Sequence, residues 1–542
     1  MNRLFLAGAA ALLVLTPALN AQNRTRTPAR PKPQKPPEVP PAVVVLPVDT
    51  TAGDSIRTII QRDLDYGDRI QPLILDSATL ADVWQPGDRT INFAPLAQTR
   101  ASFLLRIRPI STGLHVEIYD ALRGLLKQEG SFRLPRMPAN RLAAIRDSLT
   151  ATLGDKAKAT QDALAATQAT RDSLARAAQH TTPMKTTRDR ANARRAAATR
   201  DSLLAELDRL DVLIRERAAR DSARVDSLYA RAVARDSVAR DSVGRERRLG
   251  IHVASDEIER WITGERGISA TRIAFVDGTK LKIIDSDGAN ERTIVTANAA
   301  LSPTWHPSGR YIAYVDANDQ GTRIAVVDLR TMRSRLLPAT SRGLNITPVF
   351  TRDGKSLVWA SGGDSPAELV MASFGTDDDT VAVPYVGRPG AETTSPSFSP
   401  DGKQMVFMSP VPLTPQLYIM NVNGTGLRLL TPPIPGKRSY RTGPEWSPRG
   451  DEIAFQQQMG DFQVWTISLK DRAMKQLTFD GENEDPSWAP DGRHMAITRR
   501  LGAIGEPRSI WILDKQTGRL RQLTLTGDAR LSDWSPPLKP NY

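Results

Sequence analysis

No cysteine occurs anywhere in these 542 residues. That excludes disulfides, thiolate metal sites, cysteine nucleophiles and a lipidated N-terminal cysteine together. Histidine is nearly as scarce. His115, His180, His252, His306 and His494 are scattered, with no HExxH or paired ligand spacing, so no metal site is expected. His306 and His494 stand beside predicted turns and read as surface or packing residues. No G-x-S-x-G elbow and no phosphate-cradling glycine loop is present, so neither an enzyme nor a cofactor is expected. Asp285, Asp287 and Asn290 alternate as calcium ligands can, but the segment lacks the ligand number and the closing glutamate, and it reads as a turn. Long apolar runs are missing too. Leu4–Leu15 follows Arg3 and is broken by Pro17, the pattern of a secretory signal cleaved near Ala21–Gln22. It is too short to span a bilayer. A periplasmic chain is the expectation.

The net charge is +13, yet it does not mark a nucleic-acid surface. Residues 22–41 hold five basic residues against one acidic, and residues 141–249 hold 23 against 15. With Arg3 these account for the whole excess, so residues 42–140 and 250–542 are together neutral. The excess sits on extended segments, where it solvates them or meets peptidoglycan, lipid headgroups or other anionic envelope material.

Four regions follow the signal. Residues 22–41 are rich in proline and basic residues and should form a disordered or polyproline leader. Residues 42–140 alternate short apolar strands with helices, one of them capped by Asp54 with Ile56, Ile59, Ile60 and Leu64 inward. Together with a helix over 250–264 they make a small α/β domain. Residues 141–249 repeat RDS followed by leucine or valine and are rich in alanine and arginine, a helical composition. Asp172–Arg176, Glu216–Arg220, Asp236–Arg240 and Asp241–Arg245 have the spacing of helical ion pairs. Leu203, Leu207, Leu210 and Ile214 suggest a coiled-coil-like seam, and residues 180–183 a break between two helices, the second about 90 Å long.

Beyond residue 265 one motif returns every 42 to 48 residues: SPTWHPSG at 302–309, TPVFTRDG at 347–354, SPSFSPDG at 395–402, GPEWSPRG at 443–450 and DPSWAPDG at 485–492. LSDWSP at 531–536 is a shortened sixth copy. The aromatic packs on one strand, glycine supplies the positive φ of a tight turn, and three further strands complete a propeller blade. Residues 271–295 supply three strands without an opening motif. Joined to the last copy they form a composite blade, closing a six-bladed β-propeller over 265–537.

The junction ASDEIERWITGERGISATRIAFVDGTKLKIIDSDGANERTIV at 254–295, with the repeated P-x-[WF]-S-P-D-G, resembles the TolB family, the periplasmic propellers of the Tol-Pal envelope system. The resemblance covers the signal, the α/β domain, the junction helix and the propeller. It implies a non-enzymatic protein-binding propeller whose partner is a Pal-like, peptidoglycan-associated lipoprotein seated over the channel mouth. A role in envelope integrity, constriction and protein translocation would follow. On that basis the partner-binding residues are those just before the motif prolines: Asn345, Thr347, Thr393, Thr394, Arg441, Thr442, Asn483, Glu484 and Asp485. Two departures stand out. The leader replaces the short peptide with which the family docks on TolA, which puts a TolA-like partner in doubt, and the helical insertion at 141–249 is not part of the family pattern. The alternatives are a secreted scaffold, or a propeller binding a small ligand, glycan or peptide outside any Tol-Pal system.

Overall fold

The computed structural model describes residues 39–542 except 49–52, 86, 89, 139–141, 180–185, 297–298, 338–342, 364, 376–381, 387–389, 412–413, 432–438, 504 and 541–542. The expected signal peptide, most of the leader, the expected helix break and the Asp54 side chain lie outside the described residues.

Strand β1 (Ala42–Val45) is apolar at every position because both its faces are covered. Val43 and Val45 pack against Ile56, Ile60 and Leu64 of helix α1 (Gly53–Tyr66). Val44 and Leu46 meet Val83 and Trp84, at the end of helix α2 (Ser77–Val83), on the other face. With β2 (Gln71–Pro72), β3 (Ala101–Ile110), β4 (Gly113–Asp120) and β5 (Leu126–Arg133) the sheet order is β2-β1-β3-β4-β5. Its first three strands are parallel and the rest antiparallel.

Helix α3 (Leu142–Gln179) runs antiparallel to α4 (Thr187–Thr263). Arg171 reaches Asp208 and Asp211 at 2.7 and 2.6 Å, and Lys156 reaches Asp221 at 2.8 Å, which fixes the register. The expected seam is displaced. Leu207 and Ile214 are covered, but Leu203 and Leu210 are exposed, and their place is taken by Leu204 and by Asp211, which accepts the Thr167 hydroxyl. Apolar residue type alone misassigned the stripe, because a polar residue with partners occupies one seam position. Of the four expected ion pairs, Glu216–Arg220 and Asp236–Arg240 form. Asp172 accepts from Gln168 instead, and Asp241 and Arg245 make no ion pair among the described residues. A capping box of Thr186 and Asp189 starts α4, and Gly264, with φ +83°, ends it. The helix does not stop near residue 249 as expected. It passes through Gly250 into the α/β region, because Ile251 and Ile258 pack in that core while Leu249 packs on Ala270 and Leu538. Its 77 residues reach about 115 Å at a rise of 1.5 Å.

The propeller has six sheets of four strands. Blade 1 is composite: Ala529–Trp534 pairs antiparallel with Arg272–Asp277, followed by Lys280–Asp285 and Arg292–Thr296. Blades 2 to 6 open with Ala299–Trp305, Leu344–Phe350, Thr394–Phe398, Tyr440–Trp446 and Glu482–Trp488. Gly309, Gly354, Gly402, Gly450 and Gly492 take positive φ in the turn after each opening strand, where a side chain would be strained.

The α/β region is clamped to the face carrying these turns. Arg69 bridges Glu259 of α4 at 2.8 Å and Asp491 of the blade 6 turn at 2.9 Å. His494 binds Asp491 at 2.7 Å and Asp68 at 3.2 Å, and Arg519 binds Asp68 at 2.6 Å. On blade 1, Asp287 takes Arg62 and Arg248 beside the His252–Asp63 pair. Thus Asp285–Asn290 is a turn, with Gly288 N–H donating to Asp285 at 2.8 Å, and its carboxylates are docking points. His494 is not the surface or packing residue expected; it is a buried ionic hub between domains. His306 does pack, edge-on to Phe350 at 4.8 Å between ring centroids, while its Nε2 lies 2.9 Å from the Gly354 carbonyl oxygen. Asp63, His252 and Asp287, and likewise Asp68, His494 and Asp514, group closely enough for a metal, but arginines already occupy carboxylates in both groups.

Candidate functional site at the channel and its mouth

The opening strands line an axial cavity of ≈ 470 Å³. Each carries a bulge at the residue three before its aromatic. Ser302, Thr347, Ser395, Gly443, Asp485 and Leu531 all have φ between 42° and 57°, in the left-handed region. Strand register shifts at the same place in every blade. Five of the six are not glycine, so a ring of strained backbone surrounds the channel.

The next feature explains the variable residue of P-x-[WF]. Ser397, Glu445, Ser487 and Asp533 each accept the backbone N–H of the following blade's aromatic, Trp446, Trp488, Trp534 and Trp305, at 3.0, 2.8, 2.9 and 2.6 Å. Val349 cannot do this. There Arg352 reaches across instead and donates to the Phe398 carbonyl at 2.5 Å. Neighbouring blades are thus stitched along the channel wall.

Two of these clasps, Glu445 and Asp533, are half-buried carboxylates that line the channel. Burial, with Asp533 nearby, pushes Glu445 up to about 8, and burial lifts Asp533 to about 7; backbone N–H groups and Arg352 oppose both shifts. The folded pKa of Glu445 exceeds its ordinary 4.5, so the folded state holds the extra proton between 4.5 and about 8. Stability therefore falls as pH rises through that window, by at most about 1.4 kcal/mol per pH unit for one proton. Glu445→Gln keeps an acceptor for Trp488 N–H and removes the titration. Melting temperatures from pH 5 to 9 should show the variant gaining on the parent as pH rises; parallel profiles would refute the assignment.

The nine residues singled out from sequence all lie on or beside the opening strands, at the end opposite the α/β region. Their exposure differs. Asn345, Thr393, Thr394, Arg441 and Asn483 are buried. Asn345 accepts Trp359 Nε1–H and the Ser361 hydroxyl and donates to Thr322 O at 2.9 Å. Arg441 donates to Gln457 at 2.7 Å and Gln416 at 3.0 Å, and burial lowers its pKa. Asn483 donates to Gln463 and the Asp480 carbonyl. These side chains hold the mouth loops together. Thr347 and Asp485 are bulge residues lining the channel. Thr442 and Glu484 are partly exposed, and burial beside Asp485 pushes Glu484 up to about 7.

Sequence reading missed a second mouth feature. Met459, Phe479, Leu501 and Leu525 are 48, 74, 61 and 79% exposed on consecutive loops of blades 5 and 6. The loops touch: Gln463 donates to Gly481 O at 2.7 Å, Gly481 abuts Leu501, and Arg508 pairs with Asp528 at 2.6 Å. Large exposed apolar side chains on touching loops make this part of the rim a candidate interaction surface. Their loops fall outside the repeated motif, so only their residue type could have flagged them.

Residues 259–538 match the family model described as the TolB beta propeller domain. The Tol-Pal system protein TolB of Thioalkalivibrio sulfidiphilus is 39% identical over 108 residues, 18% of this chain and 24% of that protein. That of Xylella fastidiosa (strain M12) is 41% identical over 103 residues, 17% and 23% of the two chains. The aligned stretch therefore spans about a quarter of these relatives' length. The crystal structure of TolB from Acinetobacter baumannii superposes with a TM-score of 0.60 at 18% identity, covering 92% of this chain and 98% of that one; this likeness is one of fold.

Proposed function

The chain belongs to the TolB β-propeller family, and from that premise we propose that it is a non-enzymatic, periplasmic member of a Tol-Pal system that binds a Pal-like lipoprotein over its channel mouth. The observation that carries this reading is the exposed apolar crescent on the face opposite the α/β region. It supplies desolvating contacts, while Thr442, Glu484 and the channel rim supply polar ones, the usual division of a protein interface. The buried residues Asn345, Arg441 and Asn483 act indirectly, by fixing the loops that present these groups. Support for envelope integrity, constriction and translocation would follow from that complex.

The test is capture of the purified globular domain of the cognate Pal-like lipoprotein by the full chain. Phe479→Asp combined with Leu501→Asp alters only exposed side chains and should weaken capture at least tenfold. Unchanged capture would move the site elsewhere, and no capture by the parent chain would remove the Pal-like partner.

A further inference from the structure

At the root of the helical hairpin, away from the channel, lies a second cavity of ≈ 490 Å³. It is lined by Arg240 and Arg245 of α4, by Arg292 at the start of the outer strand of blade 1, and by Asp241, Gly244 and Glu291. The three arginines come from two separate elements and line this one space. Arg292 makes no hydrogen bond or ion pair among the described residues, and its Nη1 is buried without a partner. One Nη of Arg240 is equally buried and unpartnered, although its Nε reaches Asp236 at 2.6 Å. Arg245 is also unpaired, since the expected bond to Asp241 does not form.

Nearby acids do not settle this account. Glu291 is taken by Lys282 at 2.8 Å, Asp285 by Arg272 at 2.9 Å, and Asp287 by Arg62 and Arg248. Asp241 lines the same space but is exposed. Burial, with Arg272 and Arg245 close by, pushes Arg292 down to about 10, against the pull of Asp285 and Glu246. Gly244 adds a second sign. A glycine inside a helix costs about 1 kcal/mol relative to alanine, and a Cβ there would meet nothing within 4 Å, so the helix surface is left open at the cavity.

Buried guanidinium N–H groups without acceptors call for an unseen one. We propose that this cavity is an anion site for a phosphate group, held by Arg245 and Arg292 with Arg240 at its edge, and that the bound phosphate ties the hairpin root to blade 1. Arginine forks match phosphate oxygens in pairs, and a dianion balances two unpaired guanidiniums where one carboxylate would balance one. The space exceeds a bare phosphate, so a small phosphate ester or a lipid headgroup also fits.

The experiment uses the full chain at low ionic strength. Inorganic phosphate and glycerol 3-phosphate are titrated by calorimetry, and phosphatidylglycerol vesicles are tested by flotation. Saturable binding in the parent, weakened at least tenfold in both R292Q and R245Q and unchanged in the hairpin-tip variant R194Q, is the expected result. Binding of the soluble phosphates assigns a small-molecule site, and binding of vesicles alone assigns a headgroup site. No saturable binding of either kind, or binding unaffected by both root substitutions, overturns the proposal.

Discussion

Replacing Arg69 with methionine should lower the unfolding free energy by about 3–5 kcal/mol, the cost of removing one partner from a buried ionic cluster. The Arg69 side chain is 8% exposed and is the cation between Glu259 and Asp491. Without it these two carboxylates face each other across the domain boundary, and burial already holds Glu259 above its ordinary pKa. His494 alone would then neutralise Asp491. The pH dependence follows from the same cluster. Asp491 and Asp68 push His494 up to about 9 against the desolvation of its buried ring, so its contribution is complete below 6.5 and fades as pH rises to about 9. Asp514, held down to about 2 by Arg493, contributes above its ordinary 3.8 and loses this as pH falls through about 2. The clamp should be strongest between roughly pH 4 and 6.5. Urea unfolding of the parent and Arg69→Met from pH 5 to 9 measures both effects. A difference under about 1 kcal/mol would reduce the cluster to the weight of a surface pair.

Trp534→Ala should cost about 3–5 kcal/mol, as buried tryptophan truncations do, and should also open the ring. Trp534 is buried among Ile273, Phe275, Ile510 and Ile512, on blades 1 and 6. Its indole N–H donates to Thr271 at 2.8 Å, and its backbone N–H to Ser487 at 2.9 Å. The strand it belongs to joins segments more than 250 residues apart, as in Trp534↔Ile273. Trp446→Ala, inside a continuous blade, removes a buried tryptophan packed against Val406, Leu417, Ile453 and Phe455, away from the closing strand. Amide exchange in Arg272–Asp277 should therefore accelerate in the first variant and not in the second. Equal protection in both would show that the composite blade is no weaker than the others.

The contrast marks what sequence can and cannot reveal. The blades were legible because each repeats the same local demands: an aromatic, a left-handed glycine and alternating strands. The composite blade followed from a missing motif at one end and a surplus motif at the other. Arg69 and His494 were not legible as a pair, since they meet across more than 420 residues through Asp491, and neither belongs to a pattern. The mouth was half legible. Position relative to the prolines located Arg441 and Asn483, but their burial depends on Gln416, Gln457 and Gln463 from neighbouring strands. Gly250 lowers helix propensity where α4 enters the domain, yet Ile251 and Ile258 are spent on the α/β core and Leu249 on Ala270 and Leu538, and packing overrode propensity.

Helix α4 is one continuous element with two very unequal arms. About 90 Å of it, residues 187–248, runs along α3 and on to the Arg248–Asp287 ion pair with blade 1, and about 22 Å, residues 249–263, is embedded at the junction of the α/β region and the propeller, where its Asp256 and Glu259 are buried. The long arm is roughly four times the short one, so the two would move as a rigid rod in that ratio. A 1 Å tilt at the embedded end sweeps the far tip through about 4 Å. Glu259, which Arg69 ties to the propeller, lies on the short arm.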